Sequence, residues 1–338
     1  MNPDLFNKLL IIRTRGIGAV KYRELIDAFG GAEGAVEELR IAGDQIDSVR
    51  REIDLAMSLG IKYIDDDAPE FPAIYKSAKN HSPVLAVRGC EAALAKVSVG
   101  IVGTRHATAA AMRFTSELAG EFARRNICVV SGMAMGTDSA AHAGALSVAG
   151  ENTIAVLAGG ADYIWPLENE KLYYEIIERG AIVSDQATGY KPVANNFIAR
   201  NRVVAGLSEK LILGEADEKS GSVATAGFAL ELGRALWAIP GHPSDGRSAG
   251  PNRFIAEGAA KLCRGAVDFF QFAEKTTGQR PAAKEGQSAL LDLIGNIPAN
   301  ENVLASLAKK SVSEILAELV VLELGGMVRK TAGGFVRV

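Results

Sequence analysis

Val99-Gly100-Ile101-Val102-Gly103-Thr104-Arg105 is an apolar run that closes on a glycine and turns polar. A helical pattern follows over 108–125, so the stretch reads as a buried strand passing into a helix. The same transition recurs at Val129-Val130-Ser131-Gly132-Met133-Ala134-Met135-Gly136-Thr137-Asp138. A third follows Glu215-Ala216, at Ser220-Gly221-Ser222-Val223-Ala224-Thr225. Glycine admits positive φ and close approach of a ligand to the backbone. The first N–H groups of the following helix lack intrahelical partners and carry partial positive charge. Such turns are ready anion sites. With Arg200-Asn201-Arg202 near them in sequence, and guanidinium groups matched to phosphate oxygens, they suggest a surface for a phosphate-bearing ligand.

Outward from these turns, strands are expected at 97–103, 127–131, 153–158, 181–184, 210–215 and 235–239. Helices are expected between them, among others at 108–125, 138–149, 168–179 and 222–234. This alternation predicts an α/β fold, a Rossmann-like doubly wound sheet that binds ligands beyond the carboxyl ends of its strands. Residues 3–60 read as short helices, with Leu5, Leu9 and Ile12 on one face. Their Arg15-Gly16-Ile17-Gly18 turn is similar to a helix–hairpin–helix turn facing a DNA phosphate, or to an ordinary αα turn. Asp65-Asp66-Asp67, Pro69 and Pro72 read as a polar connector. Residues 274–287 read as a linker, and 288–338 as three helices and a hairpin that resemble a winged helix. The expected division is a helical domain at 1–80, a Rossmann-like domain at 81–273, the linker, and a winged-helix-like domain at 288–338.

Among 338 residues, 48% are hydrophobic and 23% charged, as in an ordinary folded protein. The net charge of −3 supplies no global positive field, so any nucleic-acid site must be a local patch. Cys90, Cys128 and Cys263 are far apart and form no CxxC, which fits a reducing cytoplasm and no zinc ribbon. No apolar run reaches the ~18 residues of a membrane span, and no membrane partner is expected. His81, His106, His142 and His242 lack metal-ligand spacing, and no cofactor is expected.

The dinucleotide fingerprint and the Gly-Lys of a phosphate-binding ATPase loop are both absent. Gly246-Arg247-Ser248-Ala249-Gly250 matches the hydrolase nucleophile elbow, but a Pro-Gly loop precedes it and the last histidine, His242, comes before the serine. Asp138 and His142 share a helix face, where the carboxylate meets free N–H groups; a structural pair outweighs an acid–base pair there. Phe197 either stacks on a base or packs in the core, the commoner fate of a lone aromatic. The rival reading is a nucleotide phosphoribohydrolase or nucleotide sensor. Such an enzyme would need Glu215, Asp138 or Glu231 beside the ribose.

Residues 97–260 carry an ordered set of motifs that resembles the DNA-processing protein A family. They are Ile101-Val102-Gly103-Thr104-Arg105, the Ser131–Asp138 stretch with His142, and Thr153 to Gly160. Trp165-Pro166, Phe197, Arg200-Asn201-Arg202, Glu215-Ala216, Ser220-Gly221-Ser222 with Thr225, and Pro240-Gly241 follow. The resemblance implies a non-enzymatic protein that binds single-stranded DNA, forms a homodimer through its Rossmann-like domain, and delivers RecA recombinase to incoming strands during natural transformation. It implies that Gly103, Thr104, Arg105, Ser131, Gly132, Gly136, Arg200, Asn201 and Arg202 line a phosphate pocket supported by Ser220, Gly221, Ser222 and Thr225. Lys191 falls in a variable stretch where members often place basic residues. Ser184-Asp185 stands where the family usually has Ser-Glu, and Trp165-Pro166 where it has Tyr-Pro.

Overall fold

A computed structural model describes residues 2–270, 290–294, 299–331 and 334–337. The expected linker at 274–287 lies outside them. The chain divides into two units, Met1–Ala273 and Glu274–Val338.

The first unit opens with four helices, α1 (Pro3–Ile12), α2 (Ala19–Phe29), α3 (Ala32–Leu39) and α4 (Gly43–Ser58). Asn2 caps α1 by accepting from the Asp4 N–H, and Pro3 sits in the first turn, where a missing N–H costs nothing. Leu5, Leu9 and Leu10 meet Val49 and Ile53 in a small core. The next elements are β1 (Ile61–Asp65), α5 (Ala73–Lys76), β2 (Val84–Gly89), β3 (Ser98–Val102), α6 (Ala109–Arg124), β4 (Cys128–Ser131) and α7 (Thr137–Leu146). They continue as β5 (Thr153–Val156), α8 (Glu170–Arg179), β6 (Ala181–Ser184), α9 (Ala194–Gly206), β7 (Lys210–Leu213), α10 (Gly221–Glu231), β8 (Ala235–Ala238), α11 (Ala249–Ala256) and β9 (Lys261–Leu262).

The sheet order is β1-β2-β6-β5-β4-β3-β7-β8-β9. Strands β3 to β9 pair in parallel, as the continuous apolar runs predict. β1 and β2 add an antiparallel margin that the alternation did not signal. The triple aspartate also differs from a free connector. Lys8 is buried and bonds to Asp65, Asp66 and Asp67, tying α1 to the end of β1. Burial disfavours the Lys8 charge, but the aspartates outweigh it and raise its pKa.

Successive strand residues face opposite sides of the sheet. Val102, Val130 and Leu213 pack with Val203, Val204 and Ala226 of α9 and α10. Ile101, Val129 and Ile212 pack with Leu118, Phe122 and Ala141 of α6 and α7. β4, β5 and β6 run outward on one side of β3, and β7 returns on the other. The point of reversal therefore lies between β3 and β7, where such sheets bind ligands.

The second unit contains α12 (Glu301–Ala308), α13 (Val312–Leu324) and the antiparallel pair β10 (Val328–Thr331) and β11 (Gly334–Arg337). Ser311 and Glu314 form a reciprocal cap on α13. Leu304, Ile315, Leu319 and Phe335 fill its core. Of the first expected helix, residues 291–293 form a single 3-10 turn. Among the described residues, no helix is long and apolar enough to cross a membrane.

His142 belongs to the core rather than to an acid–base pair: it bonds Thr153 Oγ1 at 2.7 Å and is fully buried. Burial, helped by the nearby Arg200 charge, pushes its pKa from 6.5 down to about 3. The unfolded chain takes up a proton below its ordinary value that the folded chain refuses, so stability falls as pH drops through that window. The loss is about 2 kcal/mol by about pH 5. His142→Gln is expected to flatten this acid sensitivity, as read from urea midpoints at neutral and acid pH. Where α6 meets α7, a Cβ on Gly144 would collide with the Ser116 carbonyl, whereas Gly227 on α10 faces open space. Gly144→Ala is expected to destabilise by about 1–3 kcal/mol, and Gly227→Ala to stabilise by about 0.5 kcal/mol. Denaturant unfolding of the two variants checks the contrast.

Candidate nucleic-acid interface

The three glycine turns converge at the point of reversal. Thr104, following β3, donates its N–H to the Glu215 carbonyl at 2.6 Å and accepts the Thr137 N–H at 3.2 Å. These bonds lock the loop after β3 to those entering α7 and leaving β7. Gly136 has φ +75°, and a Cβ there would stand 2.5 Å from the Thr104 carbonyl oxygen. Ser220 caps α10 by accepting the Val223 N–H. Ser222 Oγ donates to the Gly103 carbonyl at 2.6 Å, so the third turn is pinned to the first. Thr225 Oγ1 donates to the Gly221 carbonyl within the helix.

Arg200 of α9 enters from below. It is buried, and its guanidinium donates to the Gly132 and Val156 carbonyls, the latter at 2.6 Å. A Cβ on Gly132 would lie 2.6 Å from the guanidinium carbon, so only glycine admits this approach. Arg200 Nε donates to Asn201 Oδ1, and Asn201 Nδ2 donates to the Gly221 carbonyl. Burial lowers the Arg200 pKa to about 10, which still leaves it charged at neutral pH. Asp138 lies beside it, accepting the Ala134 N–H at 3.3 Å; burial raises its pKa while the Arg200 charge opposes the rise.

Gly103, Thr104, Arg105, Arg200, Asn201 and the Ser220–Ser222 turn line a cavity of about 240 Å³. Arg200 and Asp138 offset each other inside it, so the exposed Arg105 supplies the accessible positive charge. Its guanidinium stands 4.9 Å from the Trp165 ring centre and 5.9 Å from that of Phe197. The two rings meet edge to face at 4.5 Å. Phe197 is thus half-exposed beside the cavity instead of packed in the core. Trp165 was a family mark in the sequence and not a site residue. No local signal joins it to Phe197 and Arg105, because only the fold brings them together.

Other expected site residues fall elsewhere. Ser131 is fully buried and donates its hydroxyl to the Ile101 carbonyl, so it braces β4 against β3. Lys191 is exposed in the loop before α9 and is absent from the cavity lining. Arg202 turns to the other side of α9, as two residues' rotation about a helix requires. It pairs with Glu231 at 3.1 Å and lines a separate cavity of about 360 Å³ beside Arg13 and Asp185. The three carboxylates of the enzymatic reading are engaged. Glu215 holds the N–H and hydroxyl of Thr108 at the start of α6, Asp138 is buried, and Glu231 faces Arg202. Ser248 sits in a 3-10 turn, without the strand that a nucleophile elbow needs.

Residues 62–274 match the family described as DNA recombination-mediator protein A. Residues 2–52 match its N-terminal HHH domain, and residues 274–334 its winged helix domain. The DNA processing protein DprA of Bacillus subtilis is 37% identical over 213 residues, covering 63% of this chain and 71% of that protein. Protein Smf of Escherichia coli is 31% identical over 287 residues, covering 81% and 76%. The X-ray structure of DNA processing protein A from Streptococcus pneumoniae superposes with a TM-score of 0.66 at 27% identity, covering 79% of this chain and 95% of that one. The Helicobacter pylori protein, whose structure is described for its unique single-stranded DNA binding mode, gives 0.58 at 29%, covering 64% and 96%. With its central domain matched throughout and its flanking domains matched in order, this chain belongs to the DNA-processing protein A family.

Proposed function

We propose that this chain binds single-stranded DNA with little sequence preference and acts as a mediator, not an enzyme. The observation that carries the reading is Arg105 poised over Trp165 and Phe197 at the mouth of the glycine-turn cavity. Helix N-termini and an exposed guanidinium suit phosphate, which every sequence offers. Aromatic edges beside them suit bases that are unpaired and free to stack. The single-stranded DNA binding named for the H. pylori relative supports the same ligand. Delivery of RecA recombinase to the bound strand, and a homodimer through the Rossmann-like domain, extend the proposal on the strength of the family.

The C-terminal unit fits a protein contact better than duplex DNA. Its α13 carries three glutamates and no basic residue, and exposes Leu316, Val320 and Val321. Duplex binding is driven by neutralising phosphates, which this helix face does not do.

Fluorescence anisotropy of labelled oligo-dT and a matched duplex, across salt concentrations, tests the reading. Salt-sensitive binding that favours the single strand is expected. Arg105→Ala should weaken it and reduce the salt slope by about 0.7 for one lost phosphate contact. Phe197→Ala should cost about tenfold in affinity. Arg202→Ala, on the far side of α9, should change little. Absence of binding at low salt would shift the assignment to a mononucleotide ligand. Equal effects of Arg105→Ala and Arg202→Ala would remove this cavity as the site. RecA delivery is measured separately, as faster RecA assembly on a strand coated with single-strand-binding protein.

A further inference from the structure

A third cavity, of about 410 Å³, opens beyond the carboxyl ends of β7, β8 and β9. It lies on the opposite side of Glu215 from the phosphate cavity. The partition between them is one hydrogen-bonded layer: Glu215 bonds the Thr104 N–H through its carbonyl and Thr108 through its carboxylate. The volume is within the range of small-molecule sites, roughly 300–1,000 Å³.

Its chemistry contrasts with that of its neighbour. The walls are apolar: Ala111 and Phe114 from α6, Ile239 and Pro240 from the end of β8, and Pro251 from α11. Each ionised side chain on the rim is already engaged by a close partner, and the two cations are paired with carboxylates. Both Glu215 oxygens hold Thr108. Asp245 meets Arg247 through two bonds of 3.0 and 2.8 Å. Arg264 meets Asp268 through two bonds of 3.0 and 2.6 Å. A phosphate would find no unpaired cation here, and the Glu215 carboxylate, held by Thr108 alone, opposes an anion further. Such a slot excludes an anion, and its apolar walls suit an uncharged, largely apolar group. His242, with Nδ1 held by Ser244 at 2.7 Å, leaves a second ring nitrogen at the rim for a polar edge.

We propose that this cavity takes a nucleobase of the strand whose phosphate lies in the first cavity. The inference rests on the single-strand reading above. A slot that excludes anions and an anion cradle, linked through the bonds of Glu215 to Thr104 and Thr108, alternate as base and phosphate alternate along a strand. The slot adds affinity that depends on the presence of bases, beyond what Arg105 and Phe197 supply.

The test compares oligo-dT with an abasic strand of equal length and phosphate count, using the full chain. Ala111→Trp fills the slot from the α6 side, and Ala111→Leu fills it partly should the larger side chain impair folding, which a thermal melt reports. Wild-type protein is expected to prefer oligo-dT. That preference, the ratio of the two affinities, should fall about tenfold in Ala111→Trp, and by an intermediate factor in Ala111→Leu. A ratio equal to that of the wild type in both folded variants would overturn the proposal, including the case in which the slot serves a free small molecule. Failure of the wild-type chain to bind either strand would overturn the single-strand reading and this inference with it.

Discussion

The buried guanidinium of Arg200 joins the parts on which the candidate site depends. It reaches from α9 to the Gly132 and Val156 carbonyls and lies beside Asp138. A buried cation is tolerated only when its donors and its charge are both answered. Two strand-end carbonyls, Asn201 and Asp138 answer them together. In doing so they set the height of α9 against the sheet, the shape of the turn after β4, and the floor of the cavity. Gly132 follows as a necessity, because a side chain there would occupy the guanidinium's place.

With Arg200 committed to the interior, the accessible positive charge falls to a residue that the structure leaves outside. Arg105 sits on the loop after β3, where Thr104 is locked to Glu215 and Thr137. Its guanidinium lies over two rings, one from the loop before α8 and one from the first turn of α9. One basic group on a rigid loop, flanked by aromatic edges and the N-terminus of α10, is a local patch in a chain of net charge −3. On the far side of Glu215 the cations Arg247 and Arg264 are paired with carboxylates, and that ends the patch. The surface beyond the strand ends is thereby divided into a part with an accessible cation and a part with none.

Much of this was legible along the chain. Apolar runs at 97–103, 127–131, 153–158, 181–184, 210–215 and 235–239 became β3 to β8, because parallel strands buried on both faces need continuous apolar sequence. Glycine turns marked the carboxyl ends of β3, β4 and β7, where backbone geometry is a local matter. The margin strands β1 and β2 were not legible: β1 mixes buried and exposed residues over five positions, and the buried run of β2, Val84 to Val87, is too short to stand out. The Asp65-Asp66-Asp67 run read as part of a polar connector, since nothing near it in sequence announces that Lys8 enters it.

The sequence by itself thus determined the order of elements, their type, and the places where backbone N–H groups can meet an anion. Those properties follow from periodicity and turn chemistry over a few neighbouring residues. Which side chains face that anion was decided only by tertiary structure. Arg200 and Arg202 are indistinguishable in sequence, yet one is buried under the cavity and the other lies across the helix against Glu231. Trp165 and Phe197 become partners only when α8 and α9 pack on opposite faces of one sheet. Helix rotation and non-local packing set those directions, and neither is written in the spacing of the residues concerned.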